Sequence, residues 1–436
     1  MNHGLYWFRN DLRLADNLAL LQACASSDTL LPVYIHDSRQ DTATAWGFPR
    51  RGEHRRAVLK SALQAVDAQL RARGSALLEL EGTAWQLLPE LVKQYQITTI
   101  YTEHIAAPEE QADVAALESR GIRVHALWQS SLIHPSALPF QVSQLPDMFA
   151  AFRKRVEQHA VKIEAPCAAA ENLPPLPVAV SELENATLAR DTAAPLPDAR
   201  SAFPYFSEPC RVDEDGAQKH LAQYFARGLP HSYKSTRNGL IGIDYSSKWS
   251  PYLALGVLSA RQILHGLRAF EAEHGASESS YWLWFELLWR DYFRFLHLKY
   301  GSRLYRAAGL STAPKPTHHA QAFARWMNAE TGHALIDAAM RELKATGYLS
   351  NRMRQVVASY LIHDLACDWR AGAAWFEAQL IDYDVYSNQG NWLYLAGRGT
   401  DPRGGRRFNP DKQANDYDAD GRYRRLWVKD AFIKDE

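Results

Sequence analysis

Apolar residues fall in two rhythms along this chain. Over the first 130 residues, short apolar runs alternate with longer amphipathic stretches. LYWF at 5–8, LLPVYI at 30–35, ALLEL at 76–80, ITTIY at 97–101 and RVHAL at 123–127 read as strands. The stretches 53–73, 84–95 and 109–120 read as helices. In the first of these, Val58, Leu63, Val66 and Leu70 recur near a 3.6-residue period. Gly74 and Gly121 stand where helices end, because a residue without Cβ closes a helix in a left-handed turn. Strands alternating with helices of this length predict βαβ units, a parallel sheet and right-handed crossovers.

From about 160 to 210 the rhythm stops. Pro166, Pro174, Pro175, Pro177, Pro195, Pro197, Pro204 and Pro209 interrupt any regular element, so a long surface connector is expected. Beyond it the period is helical, at 215–227, 259–273, 279–299, 334–346, 351–365 and 371–380, with a further helix starting near Pro251. The Gly-, Arg- and Asp-rich stretch 395–423 reads as an ordered loop. The expected organisation is an α/β domain at 1–130 with a five-stranded parallel, Rossmann-like sheet, a linker at 131–210 and an all-α domain at 211–436. No GxGxxG follows any strand, so the dinucleotide-binding fingerprint is missing and a dehydrogenase reading fails.

Length and charge sharpen this picture. A chain of 436 residues exceeds one hydrophobic core. The 49 Lys and Arg balance 49 Asp and Glu, which excludes holding nucleic acid by bulk positive charge but not by a local basic face. Nine Lys or Arg face five Asp over 398–429, so segregated charge is expected there. Cys24, Cys167, Cys210 and Cys367 form no CxxC, against a zinc ribbon or iron–sulfur cluster. The N-terminus has charges where a signal peptide needs an apolar core, and no run of 18 apolar residues occurs. A cytoplasmic protein without a membrane span is expected. Nine of the 13 tryptophans lie from Trp249 to Trp427, which points to an aromatic interior or an aromatic function in the second half.

Three motifs carry candidate chemistry. In Asp244-Tyr-Ser-Ser-Lys-Trp-Ser-Pro251, hydroxyls and free N–H groups before a helix suit a phosphate. Simple N-capping by Ser250 is the alternative. Tyr233 and Thr236-Arg237-Asn238 add polar groups upstream. On the helix around 282–293, Trp282, Glu286, Trp289, Arg290 and Phe293 share one face, with Glu286 and Arg290 at i,i+4. An acid among tryptophans is costly to bury unless something uses it, although an aromatic core helix with Glu286 at its rim explains the pattern equally. Asp382 and Asp384 lie beside apolar residues without a third ligand nearby, which disfavours a metal. A buried pair of Asp382 with Arg354 is expected instead.

In order and spacing, these motifs resemble the photolyase/cryptochrome flavoprotein family. The resemblance runs from Trp7-Phe-Arg-Asn-Asp-Leu-Arg13 to Asn409-Pro-Asp-Lys-Gln413. WFELLWRDYF, TGYLSNRMRQ, LIDYDVYSNQGNW and FNPDKQANDYDADGRY look most like the cryptochrome-DASH branch. The resemblance implies an α/β antenna domain joined to an all-α FAD-binding and substrate domain. Ser246, Ser247, Lys248 and Ser250 would hold the FAD pyrophosphate, with Tyr233 nearby. Asn351, Arg354, Asp382, Asp384 and Asn388 would surround the isoalloxazine and ribityl; an Asn at 388 is similar to photolyases, where plant signalling cryptochromes tend to carry Asp. Glu286, Trp289, Asn351 and Gln355 would line the substrate pocket, and Arg237, Arg352 and Arg406 match positions that contact DNA phosphates. Tyr394 stands where duplex-repairing photolyases carry a second stacking Trp. Trp392, Trp369 and Trp326 match the electron-transfer triad.

The activity so implied is that of a deoxyribodipyrimidine photolyase. Excited reduced FAD splits cyclobutane pyrimidine dimers, chiefly in single-stranded DNA, with RNA or looped duplex as further substrates. The antenna implied is 5,10-methenyltetrahydrofolate, with Glu109 matching a folate-binding Glu; its Pro-Glu-Glu context equally suits the first turn of a helix. A monomer is expected. The alternative is a blue-light flavin receptor or regulator without efficient repair. Such receptors often append a signalling tail, and this chain stops at Glu436 soon after the last motif. Repair of (6-4) photoproducts is disfavoured, since that branch looks for paired histidines where this chain has Asn351 and Gln355.

Overall fold

The computed structural model describes residues 1–177 and 195–428; the middle of the expected connector, Lys429 and the end of the expected helical domain lie outside them. The five strands are β1 (His3–Phe8), β2 (Thr29–Asp37), β3 (Leu78–Gly82), β4 (Thr99–Glu103) and β5 (Val124–Leu127). They form one parallel sheet in the order β3-β2-β1-β4-β5. β1 is central, with Trp7 between Val33 and Thr102. Its run of five buried residues, Gly4 to Phe8, is what a strand covered on both faces requires. Helices α1 (Leu18–Ser26), α2 (Glu53–Arg71), α3 (Ala84–Gln94) and α4 (Pro108–Glu118) link the strands. Gly74 and Gly121 follow α2 and α4 in left-handed conformation, φ 74° and 77°. α1 escapes the hydrophobic pattern because it is short; Asn17 caps it, accepting from the Leu20 N–H at 3.1 Å.

Between the sheet and the proline-rich stretch that begins near 160, the chain is helical. It carries α5 (Phe149–Gln158), whose Phe149, Phe152 and Val156 are buried in an aromatic cluster with Tyr292, Phe293 and Phe295. Next come α6 (Glu214–Ala226), α7 (Tyr233–Thr236), α8 (Ser250–Leu255), α9 (Ala260–His274) and α10 (Glu278–Tyr300). They are followed by α11 (Ala320–Met327), α12 (Ala334–Thr346), α13 (Asn351–His363), α14 (Trp369–Gln379) and α15 (Val385–Ala396). Two short helices, α16 (Pro410–Tyr417) and α17 (Arg422–Leu426), occupy much of the expected loop at 395–423. The loop expectation fails there because Asn409 caps α16, accepting from the Lys412 N–H at 2.9 Å with Pro410 behind it.

Three contacts fasten the sheet to the helices. The Asp291 carboxylate accepts from the Leu132 and Ile133 N–H groups at 2.9 and 2.8 Å. Leu12 N–H donates to Leu255 O at 3.1 Å. Arg50 bonds Glu109 of α4 at 2.6 Å and Glu377 of α14 at 2.9 Å. Among the described residues, no helix is long and apolar enough to cross a membrane. No trio of metal-ligating side chains converges among them either.

Candidate functional site

α10 and α13 wall a cavity of about 1650 Å³ whose lining includes Tyr233, Ser246, Lys248, Glu286, Trp289 and Arg354. A smaller cavity of about 520 Å³ adjoins it, shares Asn351, Arg354, Gln355, Asp382 and Asp384, and adds Asn388 and Trp392. Residues more than 150 positions apart in the sequence therefore meet in one place.

One end of the large cavity is a polar loop. Ser246 and Lys248 both hold left-handed backbone, φ 60° and 58°, which is uncommon for residues with a Cβ. Such turns aim successive N–H groups into one concavity, the arrangement that receives an anion. His220 pins the loop by hydrogen-bonding Ser247 O at 2.9 Å. The capping alternative for Ser250 is not observed: α8 starts at Ser250, after Trp249, with no side-chain cap. Lys248 is buried, and its Nζ has no hydrogen-bond partner among the described residues. It rests on the rings of Tyr245 and Tyr348, 3.1 and 4.9 Å from their centroids. Burial holds its ammonium well below the usual lysine range, with Glu342 opposing the shift.

The middle is built from two ion pairs. Arg354 meets Asp382 at 2.8 Å, as the sequence predicts, and Asp382 Oδ1 is left buried without a partner among the described residues. Asp384 pairs instead with Arg294 at 2.7 Å and caps α15 through the Ser387 N–H at 2.7 Å. Burial works against its charge, but Arg294, Arg290 and Ser387 outweigh this and hold its pKa at about 2. Sequence reasoning missed Arg294; the signal was an arginine inside the aromatic run of α10, which needs a carboxylate to be buried. Asn388 donates to Ala373 O at 3.0 Å.

At the other end, Glu286 is not paired with Arg290. It pairs with Arg237 of the α7 turn, while Arg290 donates to Ser130 O. The i,i+4 expectation fails because Arg290 finds the Ser130 carbonyl, just after β5. Burial raises the Glu286 pKa and Arg237 opposes it. Trp289 has one face stacked on Phe149, centroids 3.7 Å apart, and meets Tyr394 edge-on at 6.3 Å. Arg406 donates to Tyr394 Oη at 2.8 Å. Arg352 is tied to Gln355 and Asn238, both at 3.1 Å. Trp326, Trp369 and Trp392 are all at most 1% exposed in one core cluster. Glu109 lies apart from the cavity, on Arg50.

Comparison with known proteins shows the family of the chain that carries these side chains. A family model described as DNA photolyase matches residues 4–175, and one described as the FAD binding domain of DNA photolyase matches residues 282–431. A cryptochrome DASH of Xenopus laevis is 44% identical over 96% of this chain and 81% of its own length. This chain belongs to the photolyase/cryptochrome family, in its cryptochrome DASH branch. The crystal structure of a Synechocystis cryptochrome superposes with a TM-score of 0.89 at 40% identity, covering 98% of this chain and 89% of that one. A bacterial class III photolyase from Agrobacterium tumefaciens gives 0.77 at 27% identity, over 98% and 86% of the two chains.

As a cryptochrome DASH, the chain carries an FAD-binding domain, and its own atoms fit that cofactor. A buried ammonium without an acceptor and a carboxylate oxygen without a donor are costly unless a ligand completes them. Lys248 Nζ and Asp382 Oδ1 both line the large cavity in that condition.

Proposed function

We propose that this cryptochrome DASH splits cyclobutane pyrimidine dimers with blue light, preferring single-stranded DNA. The observation that carries the reading is that one cavity holds both the anion-receiving loop with its unpartnered Lys248 and the Glu286–Trp289 wall. Ser246, Ser247, Lys248 and Ser250 would hold the FAD pyrophosphate beside Tyr233. Asn351, Arg354, Asp382, Asp384 and Asn388 would hold the flavin ring and ribityl. Bound there, FAD supplies a light-driven electron donor.

The remaining steps belong to the chain. Glu286, whose neutral form burial favours, hydrogen-bonds a carbonyl of the flipped dimer. Trp289 offers its free face for stacking, with Asn351 and Gln355 around it. Arg237, Arg352 and Arg406 lie close enough to these groups to orient flanking phosphates. Flipping a dimer out of a duplex costs a few kcal/mol, and aromatic stacking returns about 1–3 kcal/mol per base. Tyr394, tied by Arg406, offers a smaller face than a Trp, so the balance favours strands that need no unpairing. Trp392, Trp369 and Trp326 relay electrons for flavin photoreduction, and methenyltetrahydrofolate near Glu109 serves as antenna.

The test is the absorption spectrum of the purified protein followed by blue-light loss of dimers from UV-irradiated oligothymidine, single-stranded and annealed. Bound flavin and faster loss in the single strand are expected; RNA and looped duplex are further arms. Absence of flavin would end the reading. Flavin without dimer loss would assign the protein to light sensing, and equal rates on both strands would remove the single-strand preference.

A further inference from the structure

We infer that Trp46, in the loop between β2 and α2, is the solvent-side end of the electron chain that photoreduces the flavin; this rests on the photolyase reading above. The relay tryptophans are sealed in. Trp326 is 0% exposed, with its indole N–H committed to Val357 O at 3.1 Å, and Trp392 is 1% exposed. A positive charge left on Trp326 has no water to stabilise it and no small reductant can reach it. A chain that ended there would return its electron.

The aromatic ladder continues outward. Phe376 lies 5.1 Å from Trp392 and 6.2 Å from Trp326, centroid to centroid. Beyond Trp326, Phe323 stacks at 6.0 Å with an interplanar angle of 21°. Trp46 meets Phe323 at 6.4 Å and the His318 ring at 5.0 Å. The indoles hold the charge, being easier to oxidise than the phenyl rings that fill the gaps. Trp46 is half-buried rather than sealed. Its loop is nonetheless fixed: Thr44 N–H and Oγ1 donate to Phe48 O at 2.8 and 2.9 Å, and Trp46 N–H donates to Thr44 Oγ1 at 3.2 Å. His318 Nδ1 is buried with no hydrogen-bond partner among the described residues, a base standing beside the indole. Trp375 is the rival exit, 5.0 Å from Phe48, but its indole N–H is buried and has no hydrogen-bond partner among the described residues to take the proton.

Trp392 gives one electron to the light-excited oxidised flavin, Trp369 refills Trp392, Trp326 refills Trp369, and Trp46 refills Trp326. The oxidised Trp46 indole passes its N–H proton to His318. An added thiol then returns a hydrogen atom to the neutral radical, and thiyl radicals pair as a disulfide.

The test uses the flavin-loaded protein. Trp46→Phe should keep its flavin yet lose most of the lasting photoreduction and the long-lived neutral tryptophan radical seen by transient absorption; Trp46→Tyr should recover part of both. Trp375→Phe should match the unsubstituted protein. Illumination in air without thiol, followed by peptide mass spectrometry, should find oxygen added at Trp46, a readout that needs no variant. Normal photoreduction in Trp46→Phe with failure in Trp392→Phe would overturn the role of Trp46 and leave the photolyase reading standing. Normal photoreduction in Trp392→Phe would overturn the relay reading itself. A radical that deprotonates equally fast in His318→Phe would remove the histidine from the proposal.

Discussion

Glu286 and Asp384 show how one cavity gives two carboxylates opposite characters. Glu286 has a single arginine at the edge of the aromatic wall, and burial raises its pKa. Glu286→Ala should therefore leave flavin absorbance intact while lowering the quantum yield of dimer splitting; an unchanged yield would dismiss it as substrate contact. Asp384 has two arginines and a helix N–H, which hold it at about 2. Its folded pKa lies below the ordinary value of about 3.9, so its stabilisation is present above that pH and is lost as pH falls toward 2. Asp384→Asn leaves Arg294 buried without its charge partner and should cost about 3–5 kcal/mol in denaturant melts at neutral pH. The Asp382–Arg354 pair was legible because a charge beside apolar neighbours demands a partner. The Arg237–Glu286 and Arg294–Asp384 pairs were not, because spacing along the chain says nothing about which helix faces which.

At the scale of elements, periodicity located the long amphipathic helices and the five strands, whose burial follows their own pattern. It passed over α15, where Ser387, Asn388, Gly390 and Asn391 are poor helix formers. That helix exists because α10, α13 and α14 surround it. Gly390 is the point of closest approach: a Cβ there would come within 2.1 Å of the Phe293 ring. Gly390→Ala should push α15 from α10 at a cost of about 1–3 kcal/mol, read as a lower Tm and reduced flavin retention. α5 was hidden for another reason. It is a short helix just ahead of the proline-interrupted region, and its worth is tertiary, since Phe149 backs the Trp289 ring.

For the whole molecule, zero net charge proves to be local neutralisation more than segregation. Within the basic C-terminal stretch, Arg403 pairs with Asp401, Arg407 with Asp364, Lys412 with Asp416 and Arg424 with Asp418, at 2.7 to 2.9 Å. These pairs engage four of the nine cations of that stretch, leaving fewer to displace counterions. Binding to single-stranded oligothymidine should thus show a shallow logarithmic salt dependence, a small multiple of the slope of about −0.7 per phosphate. A steep slope would mean that these pairs open on the nucleic acid.

Arg50 holds one carboxylate from each half of the chain, while Gly52 N–H reaches Ala378 O at 2.8 Å and Arg55 reaches Glu377 O at 2.7 Å. Neither half can melt without exposing the charges of the other. Calorimetry should accordingly record a single endotherm rather than two, and the α/β and helical halves stand or fall as one cooperative unit.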